Sequence, residues 1–263
     1  MASSSPQRTA LAAQGRPPVE HRKMMRGASK SIIIIAGSGM AANDPKIAYT
    51  VSKDLLTQNS GSFRDLFASK PLSEAFQLPR VMALPFEFYV RFLTDANRDL
   101  LTMAKSHADR ACQTEALRAQ RPSSDHGDLE HEVCMLEALC NIWYSAHGFR
   151  DPRFCNAAID AILHLPNLGP CAIICTTKWC ARAMGGDSIV AQHLDEDTPL
   201  LKLMLDSVAA TMTPNLMRSN FLDGTWSLDF GAKLTLRLNT FVHFGVEVRV
   251  PTLGERQRYY AQA

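Results

Sequence analysis

Three groups of residues have the types and spacing that chemistry would need. Cys171, Cys175 and Cys180, with His193 further on, are the strongest metal-ligand candidate. Zinc sites pair thiolates at gaps of about two to four residues and close with a matching second pair. Here Cys171-Ala172-Ile173-Ile174-Cys175 lies in an apolar run with no second close pair, so these thiols read as core. His126 and His131 with Asp125, Asp128 and Glu130 form an acidic, histidine-containing cluster. They fall in a polar stretch where nothing rigid would hold a coordination geometry, which predicts solvated loop charge. Cys140 and His147 suggest a thiolate–imidazole pair, but position 140 is on the apolar stripe of a helical pattern and predicts an inert thiol. No Gly-x-Ser-x-Gly elbow and no His-Glu-x-x-His occurs. The sequence predicts no catalytic constellation, no metal and no cofactor.

Two further features invite a functional reading. Gly37-Ser38-Gly39 follows an apolar strand pattern, as a nucleotide-binding loop would. A dinucleotide fingerprint needs a third small residue at the right offset and a helix opening from the loop. Asn43-Asp44-Pro45 breaks any such helix, and no Gly-Lys-Ser/Thr follows. A hairpin connection is the expectation, with an enzyme binding a nucleotide or small molecule as the alternative. Arg16, Arg22, Lys23, Arg26 and Lys30 form a basic lead that would suit a transcription-associated factor. No aromatic interleaving or DNA-binding module accompanies it, so a solvated tail is expected.

The elements that must position any site follow from periodicity. Residues 1–28 read as a disordered basic arm; Pro17-Pro18 and the absence of an amphipathic period argue against an import presequence. Ile32-Ile33-Ile34-Ile35 predicts a buried strand, because consecutive β-branched residues favour extended structure. Ile47, Tyr49 and Val51 alternate with Ala48 and Thr50, a half-buried strand. At Ser52 the period changes. Ser52 is an N-cap, Asp54 lies in the first turn, and Asn59-Ser60-Gly61 predicts a left-handed end. A second short helix from Ser62 puts Phe63, Leu66 and Phe67 on one face. Pro85 opens a helix carrying Phe86, Tyr89, Val90 and Leu93.

Residues 96–130 are polar: a surface helix from Leu100 to Ala119, then a loop. Leu129 to Tyr144 is helical and stops at Gly148; Phe149-Arg150-Asp151-Pro152 starts the next helix, with Phe154, Ala157, Ala158, Ala161 and Ile162 on its apolar face. Residues 176–184 and 199–209 are further helices, and Phe230 to Phe241 fits a helix or a hairpin equally.

Several of these stretches resemble the BTB/POZ domain. Val51-Ser52-Lys53-Asp54-Leu55-Leu56 followed by Ser60-Gly61-Ser62-Phe63 is similar to the family's strand-to-helix stretch, with Ser52 where the family usually has His. Pro85 to Leu93 is similar to its "F-x-x-F-x-x-x-x-L" helix, although the usual closing Tyr-Thr-Gly is reduced to Thr94-Asp95. Arg153-Phe154-Cys155-Asn156-Ala157-Ala158-Ile159-Asp160-Ala161-Ile162 resembles "F-x-N-A-A-I-D-A-I", especially as it stands in filamentous fungi. Thr198-Pro199-Leu200-Leu201-Lys202-Leu203 resembles a stretch that follows the domain in many fungal members.

The resemblance implies an α+β fold: a small mixed sheet from the Ile32, Ile47 and Phe76 regions, capped by short helices. The BTB/POZ-like domain would span 29–165 with an insertion at 96–130, followed by a mainly helical extension over 166–263. It further implies a protein-interaction module that forms homodimers or docks on a cullin scaffold as a ubiquitin-ligase adaptor. In cullin-binding members the loop after the Phe-bearing helix carries a hydrophobic-x-Glu motif. Leu72-Ser73-Glu74, beside Phe67, stands at that place.

The whole chain sets bounds. Of its 263 residues, 46% are apolar, enough for a sizeable core, and a net charge of +2 supplies no strong field for nucleic acid or membrane. The longest apolar run, Ile32 to Gly37, is far too short to cross a bilayer. Seven cysteines, odd in number and mostly in apolar stretches, suit a reducing compartment. The expected location is therefore intracellular, cytoplasmic or nuclear.

Overall fold

A computed structural model describes residues 20–23, 30–37, 45–78, 81–95, 99–119, 127–183, 198–222, 226–245 and 247–261. The isoleucine run forms strand β2 (Ser31–Ala36) and the alternating run forms β3 (Ile47–Ser52). They pair antiparallel, with Ile34 opposite Tyr49 and Ile32 opposite Val51. β4 (Ala75–Leu78) adds parallel to β2, placing Phe76 opposite Ile34. Ile32, Ile34 and Ala36 are buried while Ile33 and Ile35 are half-buried, so β2 has one core face and not two.

A fourth strand, β1 (Glu20–Lys23), lies parallel to β3 and completes the order β1-β3-β2-β4. These four residues belong to the stretch expected to be a disordered arm. Arg22 on this strand pairs with Glu87, a buried carboxylate of the helical layer. The remainder of the arm, 1–19 and 24–28, lies outside the described residues.

Ser52 caps α1 (Lys53–Asn59), its hydroxyl accepting from the Leu55 amide at 3.2 Å. The expected left-handed end is absent. Ser60 is extended, with φ −125° and ψ 125°, and serves at once as C-cap of α1 and N-cap of α2 (Gly61–Ser69). α3 (Ala83–Thr94) begins two residues ahead of Pro85. α4 (Leu100–Ala119) is not merely a surface helix: Leu100, Met103, Ala104 and Ala108 are buried where it packs along α5 (Gly127–Phe149).

Gly148 does not stop α5. The helix runs through Phe149, and Arg150 takes the left-handed conformation at φ 54°. Asp151 then caps α6 (Pro152–Leu163), its carboxylate accepting from the Arg153 and Phe154 amides. α7 (Leu168–Ala183), α8 (Pro199–Thr211), α9 (Pro214–Leu222) and α10 (Leu228–Phe244) follow, then a 3₁₀ segment, Leu253–Tyr259. The undecided stretch from Phe230 is thus helical.

The protein is a mixed α+β structure in which one hydrophobic cluster joins the sheet to the last helices. Phe63, Phe67, Phe154 and Ile159 all belong to it. Tyr89 connects the two halves, with ring centroids 6.4 Å from Phe63 and 5.0 Å from Phe154. Among the described residues no single helix is long and apolar enough to cross a membrane.

Candidate protein-interaction surface

The loop between α2 and β4 is built on an aromatic base. Phe67, expected as a partner contact, is only 4% exposed. Its ring packs on Phe63 at 5.8 Å and edge-on to Phe76 at 4.9 Å, with the Lys53 ammonium 5.4 Å from its centroid. An i, i+4 apolar pair on a short amphipathic helix faces the core, so Phe67 supports the loop from beneath.

Above it the backbone turns tightly. The Ser73 amide donates to the Lys70 carbonyl at 3.2 Å, and the Ser73 hydroxyl donates to the Ala75 carbonyl at 2.7 Å. The Ile33 amide donates to the Glu74 carbonyl at 2.8 Å, carrying the β2–β4 ladder one residue into the loop. With main chain fixed at both ends, the side chains of Leu72 and Glu74 are left to solvent. Leu72 is 93% exposed, extreme for an aliphatic residue, and Glu74 is also exposed.

A second set of contacts ties this unit to the α5–α6 corner. The buried Ser60 hydroxyl accepts from the Phe63 amide at 3.1 Å and donates to the Phe149 carbonyl. Ser62 donates to the Gly148 carbonyl at 2.7 Å and accepts from Arg150, whose guanidinium also pairs with Asp65. Arg153 reaches Asn59. The Tyr89 hydroxyl donates to Asp151 at 3.2 Å; burial, and then the adjacent Asp151 charge, push the Tyr89 phenol far up.

The residues weighed for chemistry are placed apart from this surface. Cys140, Cys171, Cys175 and Cys180 are buried. Burial and the nearby Glu132 push the Cys171 thiol up to about 12, and burial raises Cys140 and Cys175 well above the ordinary thiol range. Among the described residues no group of three His, Cys, Asp or Glu side chains is arranged to hold a metal ion. His131 is on α5 and not in a loop; its Nε2 lies 2.8 Å from Asp109 Oδ1 on α4. His147 is exposed and stacks on Trp143. Asp125, His126 and His193 lie outside the described residues, as do Ser38 and Gly39. Gly37 is described: its φ is +99°, and a Cβ there would fall 2.0 Å from the Pro45 carbonyl oxygen. That close approach explains the glycine by hairpin geometry.

Two polar clusters were not legible in advance. Glu87 is held by Arg22 from β1 and Arg91 from its own helix. Asp206 on α8 is buried and accepts from Arg237 through both oxygens and from Tyr259 at 2.7 Å. Arg22 is 65 residues from Glu87, and Arg237 and Tyr259 are 31 and 53 residues from Asp206, and a periodic pattern gives no signal for such pairs; only Arg91, four residues on from Glu87, is local. The chain was compared with family models, curated proteins and solved structures, and none of the three gave a match.

Proposed function

We propose that this protein is a BTB/POZ-like interaction module, and that the clamped loop of Leu72, Ser73 and Glu74 is its contact for a protein partner of the cullin-scaffold type. The observation that carries the reading is the outward Leu72 on a backbone fixed at both ends. An apolar anchor held in place loses little freedom on docking, and a neighbouring carboxylate sets orientation. The fold reading draws support from the antiparallel β2–β3 pair ahead of α1 and α2, the returning β4, and the α5–α6 pair seated on Tyr89. Self-association through the same module is the companion expectation.

The test is interferometry against an immobilised cullin N-terminal scaffold, using the wild-type chain, Leu72→Asp and Glu74→Lys. Removing a central anchor costs about 2 kcal/mol or more, so Leu72→Asp should weaken binding at least about tenfold. Equal retention of all three proteins, or of none, argues against the cullin partnership. Mass photometry of the wild type reads self-association separately.

A further inference from the structure

The residues that end the described chain, the last of a 3₁₀ turn and the two that follow it, are held by side chains that could read a peptide. Asn156 on α6 accepts from the Ala261 amide at 2.8 Å and directs its Nδ2 to the Ala261 carbonyl at 3.5 Å. A side-chain amide offers this donor and acceptor pair to one residue of any extended backbone. One turn on, Asp160 accepts from the Tyr260 hydroxyl at 2.7 Å, and Asp206 on α8 accepts from the Tyr259 hydroxyl at 2.7 Å. Two consecutive tyrosines therefore meet two carboxylates, and the next residue is held by its main chain.

Apart from its own 3₁₀ turns and the Thr252–Glu255 capping box, the segment belongs to no helix or sheet. Tyr259 is buried, Tyr260 and Ala261 are half-buried, and Arg256, Gln257 and Arg258 are exposed. Departure of the segment would strand no charge, because Asp206 keeps both of its bonds from Arg237. Asn156 and Asp160, both half-buried, would be met by water.

We propose that the face built by α6 and α8 is a peptide-binding groove for segments that leave a 3₁₀ turn through two adjacent tyrosines and then a small residue. Tyr259-Tyr260-Ala261 is its tethered occupant, and a partner segment of the same chemistry displaces it. None of these residues belongs to the Leu72 loop, so this groove stands or falls separately from the cullin reading. Tethering gives the internal segment an effective concentration of roughly millimolar, which a free peptide matches only when the tether is weakened.

The test uses the full chain with Tyr259→Ala and Tyr260→Ala, which spares the groove, and a fluorescent peptide of residues 250–263. Anisotropy should show this variant binding at least tenfold more tightly than the wild-type chain. A peptide with both tyrosines replaced by alanine, or Asp160→Ala in the variant, should lose that binding. A folded variant that ignores the peptide, or takes the alanine peptide equally well, overturns the proposal. Hydrogen exchange on the unaltered protein is the second measurement: amides of 253–261 should exchange at least tenfold faster than those of 152–163. Joint exchange would mark the segment as ordinary core and also overturn it. A wild-type dimer that dissociates on the tyrosine substitutions supports the groove, with a second copy as the source of the segment.

Discussion

Ser60→Ala is the substitution that tests how the α1–α2 unit is joined to the α5–α6 corner. The fully buried hydroxyl does two things at once, capping α2 through the Phe63 amide and donating to the Phe149 carbonyl. Loss of a serine N-cap costs about 1 kcal/mol. Leaving the Phe149 carbonyl without that donor costs about 1–3 kcal/mol more, because no water replaces it. The expected total is about 2–4 kcal/mol. Ser62→Ala is the control: its hydroxyl makes a 2.7 Å bond to the Gly148 carbonyl at the surface, where water substitutes. It should cost about 0.5 kcal/mol. Urea denaturation, followed by far-ultraviolet circular dichroism and tryptophan fluorescence, measures both, with an unchanged slope showing that stability alone has moved. A Ser60→Ala loss below about 1 kcal/mol, or one equal to that of Ser62→Ala, would refute the argument that this hydroxyl is the tie.

Other outcomes follow from the same packing. Burial raises the thiols of Cys140, Cys155, Cys171, Cys175 and Cys180 and, with its neighbours, the phenols of Tyr49, Tyr89 and Tyr259. Each group holds its proton longer folded than unfolded, so its contribution is complete below the unfolded value and lost as pH rises toward the folded one. Thermal stability should therefore be level near neutrality and fall above about pH 9; a midpoint unchanged to pH 11 would contradict it. A thiol reagent at pH 8 should find only the half-buried Cys112 and Cys134 promptly, and the five buried thiols only in denaturant. Gly37→Ala forces a Cβ into the Pro45 carbonyl at positive φ and should cost about 1–3 kcal/mol, read as a fall in urea midpoint. Arg22→Ala should leave β3 protected in hydrogen exchange while the Glu20–Lys23 amides lose protection; unchanged protection there would show that the Glu87 pair does not hold β1.

The parts of the fold legible in the sequence are those fixed by local pattern. Ile32 to Ile35 announces a strand by β-branching, Ser52 a cap, and Phe154 to Ile162 an amphipathic helix, and each is found where the pattern puts it. What escaped depends on distant partners. Glu20–Lys23 is polar and too short for any period, and becomes a strand through the β3 edge and Glu87. Asn59-Ser60-Gly61 has the composition of a left-handed end, yet the Phe149 carbonyl holds Ser60 extended. The helix expected over 176–184 starts earlier, at Leu168, and Pro170 lies in its first turn, where proline's missing amide costs nothing. At the candidate surface, spacing placed Phe67 on an apolar helix face turned to the core, while the resemblance made it a partner contact; it is buried. The prominence of Leu72 became visible only with the backbone clamps around it.

The single hydrophobic cluster has a consequence for synthesis. α5 buries Val133, Leu136 and Cys140 and is packed by α7, where the Cys175 thiol lies 3.7 Å from the Val133 carbonyl. At about 5–20 residues per second, α7 leaves the ribosome roughly two to seven seconds after α5 is complete. Through that interval a growing polypeptide carries α5 without the cover that α7 supplies, the kind of apolar surface that holdase chaperones recognise. A release stalled between the two helices would prolong that exposure.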